Sequence, residues 1–347
     1  MKKTPQIVST LQSLRRLDRT LWMLTFQGDY GLDELLRKGV KGLPGLVLYA
    51  QRYFRAPVLL RNPGGFGCST FFARTPAEQV LLGRNFDYKE SLALTVWTAP
   101  KEGYRSLSVT LGSFLLYGLK WQRLERAGFP LRLMGAAYTC MDGINEKGLA
   151  VAVLEIKAKP TAQKRGKTPI TTPIAIRAIL DRCATVEEAI KLLDGFDMQD
   201  LIFACYHYQI CDAAGSSAVV EYMDGQMHVY QRQPDAQQCL TNFFLTPGGD
   251  NRKEMGRDRY ANMEERLSAC GGVITEAAAM DLLEKNKLYY HHKWMPHMVA
   301  TVWSAVYNCT ERTMTLCAGM NYETAYHFRL DRPGEAEVLP RDKGETL

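Results

Sequence analysis

Beyond residue 67 the chain never settles into alternating strand–helix units; strands follow strands and helices follow helices. Short apolar and aromatic runs predict paired strands at Cys68–Arg74 and Gln79–Asn85, around the turn Thr75-Pro76. Further strands are expected at Leu107–Thr110, Ala136–Met141 and Leu149–Glu155, the last two joined by the hairpin-type stretch Asp142–Gly148. Helices come next. Thr172-Pro173 sets proline at the opening position before Ile174–Arg182, and Thr185-Val186-Glu187-Glu188 is a capping box ahead of Ala189–Leu193. Strands return at Phe203–Cys211, Ser217–Tyr222 and Gln226–Gln231, with Asp224-Gly225 as a hairpin dipeptide. Helices at Arg257–Ala269 and Glu276–Lys285, then strands at Thr301–Tyr307, Thr313–Ala318 and Thr324–Arg329, complete the order. Strict βαβ repetition would call for a parallel sheet. Its absence predicts an α+β chain of two stacked antiparallel sheets between helical layers, a four-layer αββα sandwich.

Residues 1–67 differ from the rest of the chain. They hold eleven Lys and Arg against four Asp and Glu, a net +7, whereas the other 280 residues hold 32 against 33. Ile7, Leu11, Leu14, Leu17, Leu21 and Leu24 recur at spacings of three and four, which predicts a basic helical leader. A second short helix is expected over Leu32–Lys38, and the segment ends in the breaker-rich Arg61-Asn62-Pro63-Gly64-Gly65-Phe66-Gly67. The expected division is a leader or propeptide over 1–67 and a catalytic domain over 68–347. The leader's apolar face is read as packing on its own chain, with contact to an anionic membrane surface as the lesser alternative.

Composition narrows the function classes. No run approaches the roughly 18 apolar residues of a spanning helix. Gln6, Ser9, Gln12 and Ser13 interrupt the apolar core that a signal peptide needs, so a cytoplasmic location is the default expectation. Nine cysteines lie singly, without the paired spacing of a zinc site or a disulfide framework. His291, His292 and His297 have no acidic or thiol neighbours at ligand spacing, so no metal and no other cofactor is expected. No basic stripe interleaved with aromatics follows Cys68, which argues against a nucleic-acid partner. A small-molecule substrate is the expected partner, and association into a homo-oligomer is left open.

Cys68 opens the first strand directly after the glycine-rich loop. A thiol becomes a good nucleophile when a base or cation stabilises its thiolate. Cleavage of the Gly67–Cys68 bond would put an α-amine, titrating near about 7.7, on the residue that carries the sulfur. That amine can take the thiol proton and later deliver it to a leaving amine. A lone cysteine after a glycine is ordinarily structural; its neighbourhood changes the reading. Pairing of the first two strands brings Arg84 back beside Cys68, where a guanidinium favours thiolate, and Asp87 can orient the arginine or the α-ammonium.

Cys-x15-Arg-x2-Asp, with the wording Arg84-Asn85-Phe86-Asp87-Tyr88, resembles the choloylglycine hydrolase group of N-terminal nucleophile (Ntn) hydrolases, which includes bile salt hydrolases and penicillin V acylases. More distant members are acid ceramidase and the penicillin acyltransferases. Asp142-Gly143-Ile144-Asn145-Glu146-Lys147-Gly148-Leu149 is similar to the group's DGxNExGL stretch. Asp212–Glu221 resembles its DxxGxSxxxE strand pair, Leu240-Thr241-Asn242 its LTN element, and Asp258-Arg259-Tyr260 its closing arginine–aromatic pair. The resemblance implies linear amide C–N hydrolysis with Cys68 as nucleophile, positioned and polarised by Arg84 and Asp87. It implies that Asn145 and Asn242 stabilise the oxyanion, one through a backbone N–H and the other through its side-chain amide, and that Arg259 supports the cysteine; Arg257 competes for that last place. Sixty-seven residues precede Cys68, as in the ceramidase and acyltransferase branches, which are made as precursors and cut themselves. Phe243-Phe244-Leu245 after Asn242 departs from the small residues of bile salt hydrolases and implies a different pocket.

Three other readings use the same residues or nearby ones. An acyltransferase would pass the acyl group to an amine instead of water. An uncut, non-catalytic member would keep its leader over the site. A Cys–His thiol protease would need His207 or His327 beside a cysteine.

Overall fold

The computed structural model describes residues 5–42, 44–45, 48–49, 67–89, 92–116, 133–200, 205–234, 236–251, 254–291 and 298–340. The chain opens with helix α1 (Pro5–Gln12), the two-residue strand β1 (Arg15–Arg16), strand β2 (Leu21–Phe26) and helix α2 (Leu32–Lys38). Strands β3 (Gly67–Arg74), β4 (Val80–Lys89), β5 (Ala93–Thr98) and β6 (Ser106–Leu111) follow, then the short helix α3 (Gly112–Leu116). Next come β7 (Cys140–Asn145), β8 (Ala150–Ile156), the two-residue β9 (Pro169–Ile170), α4 (Thr172–Arg182), α5 (Val186–Asp194) and β10 (Asp197–Met198). Strands β11 (Cys205–Cys211), β12 (Ser217–Met223), β13 (Gln226–Gln231) and β14 (Cys239–Leu240) precede α6 (Arg257–Ala269) and α7 (Glu276–Lys285). Strands β15 (Tyr289–His291), β16 (Met298–Asn308), β17 (Thr313–Ala318), β18 (Thr324–Arg329) and β19 (Glu337–Pro340) finish the described chain.

Two large sheets stack. The nine-stranded one runs β1-β2-β5-β6-β7-β8-β11-β12-β13; the eight-stranded one runs β14-β3-β4-β16-β17-β18-β19, with β15 paired to β16. Helices α4 and α5 cover the first, and α6 and α7 the second. This is the expected αββα sandwich. Along β3, Cys68 and Phe72 join the main core, whereas Phe71 and Ala73 join a separate cluster with Met263, Leu267 and Leu283 of α6 and α7. The period of two thus sorts each side chain to the space between the sheets or to the helix layer.

Local signals held where they were chemically specific. Thr185 Oγ1 accepts from Glu188 N at 3.2 Å, as the capping box requires, and Asp224 and Gly225 adopt the positive φ values, 50° and 77°, of a tight hairpin. Three expectations need correction. The leader is not helical throughout: helix stops at Gln12, and Leu21 and Leu24 belong to β2, which lies parallel to β5 and is sealed on both faces. A strand buried on both faces shows no alternation, so its leucines imitate helical spacing. Asp142-Gly143 is no turn; it lies inside β7, and the hairpin is closed by Glu146–Gly148 with Gly148 at φ 81°. The stretch expected as a strand from Ala136 begins instead as a 3₁₀ turn, Met134–Tyr138.

Candidate active site

The β3–β4 register sets the site. Thr70 pairs with Arg84 and Cys68 with Phe86, which leaves Cys68 and Arg84 as diagonal neighbours on the face turned to the nine-stranded sheet. Gly67 pairs with Asp87, on the opposite face. Cys68 is therefore held from both sides of its own sheet.

On the inner side, Arg84 Nε donates to Asp142 Oδ2 at 3.0 Å and Nη2 to the Val153 carbonyl at 2.8 Å. Asp142 also accepts from Trp303 Nε1 at 3.1 Å and from the Tyr307 hydroxyl. Arg84 Nη1 is buried with no hydrogen-bond partner among the described residues, and the guanidinium acts on the Cys68 thiol. On the helix side, Arg259 from the first turn of α6 donates through Nη1 to the Cys68 carbonyl at 2.8 Å and to Asp87 Oδ2 at 3.1 Å. Its Nη2 donates to Asn242 Oδ1 at 3.1 Å. The same Asn242 oxygen accepts the Cys68 backbone N–H at 2.8 Å, while Asn242 Nδ2 donates to the Glu155 carbonyl at 2.9 Å. Asp87 is braced by the Thr301 hydroxyl at 2.6 Å. Thr301 lies at the irregularity in the β4–β16 register, a device that re-aims a side chain.

Burial pushes the Cys68 thiol above its ordinary pKa; Arg84, and more weakly Arg259, pull the other way. Burial also raises Asp87, against the pull of Arg259, Thr301 and Arg84. The sulfur thus sits as a thiol beside a peptide nitrogen, which offers no base.

Five of the six expected residues, Cys68, Arg84, Asp87, Asn242 and Arg259, meet here. Asn145 does not. Its Nδ2 donates to Leu180 O at 3.0 Å and Cys183 O at 2.7 Å, and its Oδ1 accepts from Lys147 N and Leu149 N. Its backbone N–H goes to Leu149 O at 3.0 Å. Asn145 ties the β7–β8 hairpin to α4 in the helix layer, with every donor spent. The backbone N–H of Asn242 is likewise taken, by Met255 O at 3.2 Å. Arg257 is not the rival of Arg259: it pairs with Glu254 and stacks over Phe243 at 3.9 Å. His207 is spent on Glu221 and the Thr241 carbonyl, and His327 lies on β18 with β4, β16 and β17 between it and β3. His292 and His297 fall outside the described residues. Asp142 belongs to the site although sequence alone did not single it out; the signal was there, since it opens the same motif as Asn145. Glu155 and Thr301 also belong, and no local signal in the sequence marks either.

The chain matches the family model of acyl-coenzyme A:6-aminopenicillanic acid acyl-transferase over residues 74–323, and it belongs to that family. The matched stretch takes in Arg84, Asp87, Asn242 and Arg259, with Cys68 just ahead of it. The chain is similar to penicillin V acylase of Pectobacterium atrosepticum, 29% identical over 233 residues, spanning 58% of each chain. Among solved structures it resembles a mutant of the conjugated bile acid hydrolase of Clostridium perfringens, with TM-score 0.53 and 16% identity over 80% of this chain and 97% of that one. It also resembles penicillin V acylase of Agrobacterium tumefaciens, with TM-score 0.52 and 19% identity over 81% of this chain and 100% of that one. The fold is that of the Ntn hydrolases.

Proposed function

We propose that this chain hydrolyses N-acyl amides with Cys68 as nucleophile, after cleavage of its own Gly67–Cys68 bond. The observation that carries the reading is convergence on one residue. Asn242 takes the nitrogen of Cys68, Arg259 takes its carbonyl, and Arg84 acts on its sulfur. A structural cysteine has no use for three such partners.

Activation begins with attack of the Cys68 sulfur on the Gly67 carbonyl carbon; the thiol proton passes to the Cys68 nitrogen as the C–N bond breaks, and water hydrolyses the thioester that is left. The freed α-amine then replaces the peptide N–H in front of Asn242 Oδ1. In turnover, the thiol proton passes to this amine and the sulfur attacks the substrate carbonyl. The amine then protonates the leaving nitrogen, and water resolves the thioester. Asn242 keeps one amide hydrogen beyond the bond to Glu155 O, and that hydrogen suits the oxyanion. Gly67 fits the junction because a methyl there would lie 2.9 Å from Asp87 Oδ2 and 2.9 Å from Leu288 Cδ2. The leader, cut but not shed, stays as an integral part of the sheet, since β2 lies between β1 and β5.

The names of the relatives suggest penicillin V and a conjugated bile acid as first substrates to try. Penicillin V comes first, because its acylase is the relative most similar in sequence of those named above. The family's own name favours a second reading, transfer of the acyl group to an amine; product analysis with added amines separates the two. N-terminal sequencing of the purified protein should find a chain beginning at Cys68. The Cys68→Ala variant should remain one uncut chain with no hydrolysis of penicillin V. An intact chain starting at Met1 and hydrolysing amides at full rate would sink the reading.

A further inference from the structure

Asn242 sits in a loop, and loops rarely hold an amide to the accuracy that catalysis asks. The loop from Thr241 to Thr246 follows β14 of the eight-stranded sheet, yet both of its ends are held by the nine-stranded one. At its start, His207 Nε2 on β11 lies 2.7 Å from the Thr241 carbonyl, next to Asn242. At its end, Glu221 on β12 takes Leu245 N through Oε1 at 2.9 Å, and Thr246 N at 2.9 Å and the Thr246 hydroxyl at 2.7 Å through Oε2. The two side chains join each other, His207 Nδ1 to Glu221 Oε1, at 2.9 Å. Both are fully buried.

Both ring nitrogens of His207 face acceptors, a carboxylate and a carbonyl. A neutral imidazole has one N–H, so one of these contacts would set lone pair against lone pair. Burial alone would raise the pKa of Glu221; the His207 hydrogen bond and charge, with the Leu245 and Thr246 donors, bring it below the usual carboxylate value. Leu245 N and Thr246 N are donors, so an amide in place of Glu221 would turn an N–H against an N–H.

We propose that His207 and Glu221 are positioning residues, a clamp between the two sheets that fixes the Asn242 loop by both ends and so the direction in which its amide meets Cys68. The proposal rests on the reading of Asn242 as part of the active site. Neither clamp residue needs to touch substrate.

The test is penicillin V hydrolysis by Glu221→Gln, His207→Gln and the milder Thr246→Val, each alone and combined with Asn242→Ala, with Cys68→Ala as the separate control on the nucleophile. Glu221→Gln should lower kcat by about 30- to 100-fold, less than the roughly 10²–10³-fold of a lost oxyanion donor because the amide is misaimed and not removed, with KM changed less than about twofold. Thr246→Val, which removes the hydroxyl's bonds to Glu221 Oε2 and from the Tyr230 hydroxyl and keeps the carboxylate, should lower kcat about three- to fivefold; it carries the test if Glu221→Gln does not fold. In the Asn242→Ala background these substitutions should lower kcat by less than about twofold more, because residues acting through one group are not additive. Full kcat in folded Glu221→Gln or His207→Gln, a loss confined to KM, or losses that multiply with Asn242→Ala would each overturn the clamp. Full hydrolysis by Cys68→Ala would overturn the nucleophile instead and leave the clamp to its own kinetics.

Discussion

Among the described residues, two clusters bury an arginine, an aspartate and a cysteine together. Around Cys68 they are Arg84 and Asp142; around Cys140 they are Arg177 and Asp181, with Arg177 Nη2 2.7 Å from Asp181 Oδ1. In both, burial raises the thiol and the arginine opposes it, and Cys140 is pushed up to about 11. The second cluster is nonetheless a structural joint. The Cys140 thiol is directed at the Ala137 carbonyl at 3.7 Å. The Tyr30 hydroxyl donates to Asp181 at 2.5 Å, and the Tyr138 hydroxyl donates to the Tyr30 carbonyl at 2.9 Å. It pins the leader to α4. An arginine beside a thiol does not make a nucleophile. What sets Cys68 apart is that its own backbone nitrogen and carbonyl are held by Asn242 and Arg259 at the point where the chain is proposed to part.

Substitutions in the two clusters should therefore fail in different ways. The largest effect is expected for Arg177→Met, which leaves Asp181 buried and uncompensated: a loss of about 3–5 kcal/mol in stability by denaturant unfolding, with kcat unchanged in the folded fraction. A fall in kcat would erase the distinction between the clusters. Asn242→Ala should lower kcat by about 10²–10³-fold, or about 3–4 kcal/mol of barrier, with little change in KM or in unfolding midpoint; a loss of affinity alone would take Asn242 out of the chemistry. Cys140→Ala should cost least, about 1–2 kcal/mol for a small buried group, with processing and turnover intact.

How much of this was legible beforehand depends on whether the signal was local. Helices α6 and α7 and strand β13 fall at their predicted ends, Arg257–Ala269, Glu276–Lys285 and Gln226–Gln231, because caps, period and turn chemistry mark them within a few residues. The grouping of Cys68, Arg84 and Asp87 followed from one hairpin register. Asn145 illustrates the limit. Motif likeness gave it the same part as Asn242, but one residue along a strand changes the face, so Asp142 points between the sheets and Asn145 to α4. Strand β2 was hidden for a different reason, since its neighbour β5 is distant in sequence and burial on both faces removes the alternation that would announce it. The Glu221 contact with residues 245 and 246 joins two sheets and leaves no trace in either segment alone.

Gly67 is the first residue of β3, buried and paired with Asp87. A foreign protease needs several residues of free chain on both sides of the bond to seat a substrate, and from Gly67 to Arg74 the chain is paired in the sheet. On the proposed route each molecule therefore matures alone. Conversion should follow first-order kinetics with a half-time independent of protein concentration, and adding mature enzyme to fresh precursor should not shorten it.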